Sequence, residues 1–218
     1  MVWSCLVSIL PGMAQTEKLT DYVNPFVGTD GYGNVYPGAQ IPFGGIQISP
    51  DTDSRFYDAA SGYKYNHLTL MGFSLTHLSG TGIPDLGDFL FIPGTGEMKL
   101  EPGTHEDPDQ GYRSRYSHDK EWASPNYYAV ELADYGVKAE MTSGVRSGMF
   151  RFTYPESDNA FIMIDMNHTL WQSCEWSNLR MINDSTITGY KLVKGWGPER
   201  HVYFTATFSK KLTGLRFV

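Results

Sequence analysis

The stretch VYFTATF, residues 202–208, places an apolar side chain at every second position. Because successive side chains of a β-strand point to opposite faces, this period of two predicts a strand with one buried face. VKAEMT, residues 137–142, repeats the pattern. Segments rich in β-branched and aromatic residues predict further strands at 46–48, 88–93, 127–132, 148–155, 160–166 and 185–193. The sequence therefore predicts an all-β fold, an antiparallel β-sandwich in which the sheets pack face to face.

The composition is that of a folded domain with long loops. Hydrophobic residues make up 41% and charged residues 19% of the 218 residues, which excludes a disordered chain. Glycine and proline, 23 and 12 residues, are frequent, and residues 21–93 are especially rich in turn formers. This favours Gly/Pro-rich loops over helices, and no convincing amphipathic helical pattern occurs in the sequence.

The charge balance excludes one class of partner. The formal net charge is −7, and no run of Lys and Arg stands against it. An acidic surface repels the phosphate backbone, so we expect no nucleic-acid partner. A neutral substrate such as a sugar is compatible with this balance.

The first 14 residues resemble a secretory signal peptide. An apolar run at 2–10 is followed by Pro11, Gly12 and Ala14, with cleavage expected after Ala14, although a basic n-region is missing. The run is too short to span a bilayer. A lipoprotein anchor at Cys5 is a weaker alternative. We therefore expect export to a bacterial periplasm or the extracellular space.

Cys174 is the only cysteine in the rest of the sequence, so we expect no internal disulfide.

One segment raises a functional question. GFSLTHLSGTG, residues 72–82, holds three glycines among Phe, Leu, Ser and Thr side chains. It is either a turn-rich strand end or a loop shaped around a ligand. Zinc, Walker A and GxSxG motifs are absent from the sequence, and HEDPDQG, residues 105–111, fails as an EF-hand loop at Gly111 and His118.

Several long motifs in the same order resemble the N-terminal domain of glycoside hydrolase family 92, the exo-acting, calcium-dependent α-mannosidases. They are VNPFVGTDGYGNVYPGAQIPFGGIQISPDT, SGYKY, GFSLTHLSGTGIPDLGDFLFIP, SPNYYAVEL, FRFTYP and VYFTATFSK. The resemblance covers residues 20–218. It implies a β-supersandwich followed by a helical (α/α)₆ barrel, which supplies the catalytic acid, the base and most of the calcium site. The implied reaction is inverting hydrolysis at the interface of the two domains.

The resemblance also implies which side chains of this chain contact an α-mannoside. The expected substrate-binding residues are Tyr57, Asp58, His77, Ser79, Thr81 and Asp85. An aromatic ring can stack on a pyranose, and carboxylates and hydroxyls can bind its hydroxyl groups. No catalytic residue and no metal ligand is expected in this chain, since these belong to the barrel.

Alternatives remain open for single residues. His77 can instead be satisfied within the sheet, Asp85 and Asp88 can accept backbone N–H bonds beside a glycine turn, and Tyr57 can cover the sandwich edge. The sequence also departs from the family pattern, because Tyr57 replaces a common Trp, Ala60 a common Cys and Leu75 a common His.

Three interpretations of the whole chain follow. It is one wall of the mannoside pocket of an exported α-mannosidase, whose partner is the helical catalytic domain of the same enzyme. Alternatively, it is a stand-alone carbohydrate-binding module or an inert structural fragment. Under each of them the chain alone is expected to be catalytically inactive.

Overall fold

A computed structural model describes residues 17–54 and 59–216. Within these residues the regular elements are β-strands and short 3₁₀ turns, at Leu19–Tyr22, Pro108–Gln110 and His118–Lys120. The strands are β1 (Ser49–Asp51), β2 (Thr69–Leu70), β3 (Gly72–Ser74), β4 (Leu90–Thr95), β5 (Ser114–Arg115), β6 (Glu121–Ser124), β7 (Tyr127–Leu132), β8 (Val137–Ser143), β9 (Gly148–Thr153), β10 (Ala160–Asp165), β11 (Ser173–Asn183), β12 (Thr186–Lys194) and β13 (Arg200–Thr207).

The strands form three antiparallel sheets and a short ribbon. The first sheet has the order β1-β3-β4-β10, the second β6-β7-β8-β9 and the third β11-β12-β13, while β2 pairs with β5. The second and third sheets are simple meanders, which short turns between neighbouring strands permit. The first sheet pairs β4, from the first half of the sequence, with β10, from the second half, and it therefore connects the two halves of the domain.

The core lies between the first two sheets. Phe73 of β3 packs in one cluster with Tyr128 and Val130 of β7 and with Ala139 and Met141 of β8. Aromatic contacts also connect the first sheet to the third. The ring of Phe204 on β13 lies 4.5 Å from that of Phe89 and 5.9 Å from that of Phe91, measured between centroids.

The all-β sandwich predicted from the sequence is confirmed. On β13 the residues Val202, Phe204 and Ala206 face inward, half-buried, while Tyr203 and Thr205 are exposed, as their alternation requires. The predicted strands at 88–93, 127–132, 137–142, 148–155, 160–166 and 185–193 each overlap an observed strand. The segment 46–48 gives only an isolated bridge, between Ile48 and Ala39, directly before β1.

One long strand escaped prediction. β11 contains Ser, Glu, Asn and Arg among its apolar residues, and its pairing with β12 shifts register between Cys174 and Trp176 and again between Met181 and Asn183. Each shift interrupts the alternation on which prediction depends. The described part of the chain contains no helix able to cross a membrane.

Candidate functional site

The glycine-rich segment forms a closed loop, residues 77–86, here called the glycine loop. His77 and Leu86 pair as an isolated antiparallel bridge at its base. Just outside this bridge, the Gly87 N–H donates to the Thr76 carbonyl at 2.8 Å. At the tip, the Gly80 N–H donates to the carbonyl of Asn34 in the first long loop at 2.7 Å. The segment is therefore a fixed loop after β3, not an extension of that strand.

A buried carboxylate with two histidines lies beneath the base of the loop. His77 Nε2 is 2.7 Å from Asp51 Oδ1, and His168 Nε2 is 2.6 Å from Asp51 Oδ2. His77 Nδ1 lies 2.7 Å from the Gln47 carbonyl. Both ring nitrogens of His77 therefore contact oxygen atoms inside the chain. Burial raises the pKa of Asp51, but the two histidines outweigh it and hold this pKa well below its usual range.

A second buried ion cluster connects the end of the loop to the third sheet. Asp88 accepts from the Thr76 hydroxyl at 2.7 Å and lies 3.1 Å from Lys191 Nζ, and it also pairs with Arg200. Lys191 also donates to the His168 carbonyl at 2.5 Å, which joins the two clusters. Burial lowers the pKa of Lys191, with Asp88 opposing it, while Lys191 and Arg200 keep the pKa of Asp88 low despite its own burial.

The structure separates the predicted substrate-binding residues by exposure. Ser79 is exposed at the loop tip, and Thr81 is half-buried with its hydroxyl donating to the Ile83 carbonyl at 3.1 Å. His77 is only 2% exposed, and its hydrogen-bonding groups are used inside the chain. Asp85 is buried and accepts from the Leu86 N–H at 2.6 Å and the Trp196 N–H at 3.4 Å. Ser79 and Thr81 are therefore placed near a surface, whereas His77 and Asp85 hold the loop from within.

Two predictions lie outside the described residues. Tyr57 and Asp58 fall in the gap 55–58, and the signal peptide with its cleavage site falls within residues 1–16. They remain predictions.

Sequence reasoning missed a cleft of about 460 Å³ beside the C-terminal arm of the glycine loop, here called the tryptophan cleft. It is lined by Pro84, Trp171, Gln172, Ser173, Lys194, Gly195 and Trp196. The cleft lies where β11 begins and β12 ends, since Ser173 pairs with Lys194. Trp171 comes two residues before Ser173 and Trp196 two residues after Lys194, so both tryptophans lie at the same end of the sheet.

A much wider open trough, about 2840 Å³, separates parts of the sheets. Half-buried aromatic side chains line it, among them Phe150, Phe152, Phe161 and Phe204. The gap leaves apolar surface of all three sheets accessible, which single domains rarely expose without a partner.

The described residues do not form a metal site on their own. No group of three or more His, Cys, Asp or Glu side chains converges in residues 17–54 and 59–216 in a way that holds a metal ion. Asp51 is instead paired with His77 and His168, and Asp88 with Lys191 and Arg200. Calcium, which prefers several oxygen ligands, does not fit this set of residues alone.

Comparison with known proteins identifies the family. The sequence profile described as the glycosyl hydrolase family 92 N-terminal domain matches residues 22–218.

This chain belongs to glycosyl hydrolase family 92.

The match is to the N-terminal domain of the family, as its motifs predict. Similar solved structures agree with this family 92 assignment. The family 92 glycosyl hydrolase ccman5 superimposes with a TM-score of 0.70 at 29% identity, over 85% of this chain and 26% of that protein. An inverting family 92 mannosidase of Bacteroides thetaiotaomicron VPI-5482 gives 0.68 at 25% identity, over 87% and 25%.

A curated relative of the family 92 domain is described as an uncharacterized secreted glycosidase of Arthroderma benhamiae. It is 30% identical over 139 residues, which are 63% of this chain and 17% of that protein. The chain thus spans about a quarter or less of the length of these relatives.

Some of the missed residues carried a sequence signal. Lys191 occupies the same alternating face of β12 as Ile187, Gly189 and Val193, so its position in the strand marks it as a buried cation. His168, Arg200 and the two cleft tryptophans carry no such pattern, because they come together only when the first and third sheets meet.

Proposed function

We propose that this chain forms one wall of the α-mannoside pocket of an exported family 92 mannosidase, with the chemistry supplied by a helical catalytic domain. The observation that carries the proposal is the exposed tip of the glycine loop in a chain of this family. The tip carries the Ser79 hydroxyl, with Thr81 two residues on, and is hydrogen-bonded to the neighbouring loop through Gly80.

The buried clusters support a binding role over a catalytic one. Asp51, paired with two histidines, and Asp88, paired with Lys191 and Arg200, have lowered pKa values, so neither is suited to protonate a leaving oxygen. An inverting glycosidase needs two carboxyl groups flanking the scissile bond. In the proposal both come from the helical domain, as do the calcium ligands. In this chain His77 and Asp85 position the loop. Ser79, Thr81 and Asp58 contact sugar hydroxyls, and the ring of Tyr57 stacks on the pyranose.

The open trough supports a second polypeptide partner. Its half-buried phenylalanines give a surface that further polypeptide of the same enzyme would cover. The secreted relative supports export of the whole enzyme.

The test is reconstitution from separate parts. The 218-residue chain, a separately produced family 92 helical domain and the two together are assayed on an aryl α-mannoside, with and without calcium. We expect hydrolysis only from the mixture and only with calcium. Activity of the lone chain would contradict the proposal, and so would an inactive mixture in which sedimentation shows the two parts associated.

A further inference from the structure

We infer that the tryptophan cleft is a separate subsite for one neutral hexopyranose residue of a glycan. The inference rests on the proposed function and deepens it, because it assigns sugar contacts to a part of the surface apart from the loop tip. Its ligand class follows from the aromatic side chains, the shape and the charges of the cleft.

The two indoles give the cleft its chemistry. Trp171 and Trp196 are 66% and 65% exposed although each is large and apolar. A pyranose ring combines an apolar face of C–H groups with a rim of hydroxyls, which suits an indole face beside polar groups. The volume, about 460 Å³, lies within the range of small-molecule sites, about 300–1,000 Å³.

The walls of the cleft are fixed before any ligand binds. Gln172 Nε2 donates to the Pro84 carbonyl at 2.8 Å, and the Leu170 N–H donates to the Leu86 carbonyl at 2.9 Å. Asp85 accepts from the backbone N–H of Trp196. Three chain segments are thus joined around one opening, and a preformed site loses less conformational entropy on binding.

Two residues at or beside the cleft have a left-handed backbone. Trp171 has φ of 72° and Leu86 has φ of 75°, both in the left-handed region. For residues other than glycine this conformation is unfavourable, because Cβ lies too close to the following carbonyl oxygen. Such strain persists where the surrounding structure enforces it, often at binding sites. Here it fixes the position of the exposed Trp171 at the cleft.

The charges around the cleft favour a neutral ligand. Lys194 Nζ lies 3.1 Å from Glu175 Oε2, and Arg200 lies 3.8 Å from Asp85 while also pairing with Asp88. Each cation near the opening therefore has a carboxylate partner, and a phosphate or carboxylate ligand would have to compete with it. Gln172 Oε1 is buried and accepts no hydrogen bond from the described residues.

The experiment follows the indole N–H resonances of the 218-residue chain by NMR during titration with methyl α-mannoside. We expect saturable shifts of Trp171 and Trp196, with affinity in the millimolar range. W196A should weaken binding at least about tenfold, and W196Y should retain most of it. W176A is the matched control, because Trp176 is also exposed but lies outside the cleft; it should leave affinity unchanged. Circular dichroism confirms that each variant is folded.

Several results overturn the inference. These are the absence of shifts at tens of millimolar sugar, equal loss in W176A and W196A, or tighter binding of mannose 6-phosphate than of the neutral sugar. Shifts of Trp196 on adding the helical domain but not on adding sugar would make the cleft a docking surface instead. If the titration fails but the mixture hydrolyses the mannoside, only the cleft inference is refuted. If the cleft binds sugar but the mixture is inactive, only the pocket-wall proposal is refuted.

Discussion

His77 and Asp51 form a fully buried pair, with 2.7 Å between Nε2 and Oδ1 and no exposure of either side chain. The pair joins the base of the glycine loop to β1, and His168 contacts the second carboxylate oxygen of Asp51. The position of the loop therefore depends on contacts of a carboxylate that the solvent does not reach.

Removing His77 should destabilise the domain strongly. H77A leaves Asp51 with one of its two histidines, and breaking a buried pair costs about 3–5 kcal/mol. The measurement is urea unfolding at neutral pH. H201A is the control, since His201 is half-exposed and pairs with an exposed glutamate, and its cost should stay below about 1 kcal/mol. Equal losses of unfolding free energy in H77A and H201A would show that the buried pair stabilises the domain no more than an exposed pair does.

Asp51 and its histidine partners should also make the stability of the domain depend on pH in the acid range. The folded-state pKa of Asp51 lies below the unfolded value of about 3.9. Its stabilisation is therefore fully present above that value and is lost as the pH falls towards the folded-state pKa. The difference in unfolding free energy between wild type and D51N should shrink below about pH 4. A difference that stays constant from neutral pH to pH 3, about one unit below the unfolded value, would refute this assignment.

Gly87 should tolerate alanine poorly. Its φ is 74°, and an added Cβ would lie 2.6 Å from Leu170 Cγ and 2.8 Å from the Leu170 nitrogen. Gly80 has nearly the same φ, 73°, but open space around it. G80A thus measures backbone strain alone, and G87A should cost about 1–3 kcal/mol more because of the clash. Equal thermal midpoints would mean that the contact with Leu170 is loose.

The Lys191–Asp88 pair offers a third test of the buried network. K191M should lose about 3–5 kcal/mol of unfolding free energy, because Asp88 keeps only part of its compensating charge. K191M/D88N should lose less than the sum of the single changes, by about 0.5–3 kcal/mol. The control K211M removes a lysine that is 80% exposed and should be nearly silent. If the losses of unfolding free energy in the two single variants add up to that of the double variant, Lys191 and Asp88 stabilise the domain independently.

The sequence predicted the sheets better than the site. Alternation located β8 and β13 because a period of two depends only on local geometry. The glycine loop was also visible, since its glycines and hydroxyls are contiguous. The buried network was not, because Asp51 and His168 are separated by 117 positions and meet only after the sheets assemble. The tryptophan cleft was missed for the same reason: its indoles flank a strand pair whose first member has no regular alternation.

The central claim is that the tip of the glycine loop binds sugar without taking part in the chemistry. The most direct measurement is saturation kinetics of the reconstituted enzyme carrying S79A and T81V, with S124A on β6 as a control. We predict a KM raised several-fold with kcat nearly unchanged, the pattern of lost binding shared by ground state and transition state. A collapse of kcat at constant KM, or kinetics identical to those of S124A, would contradict the account.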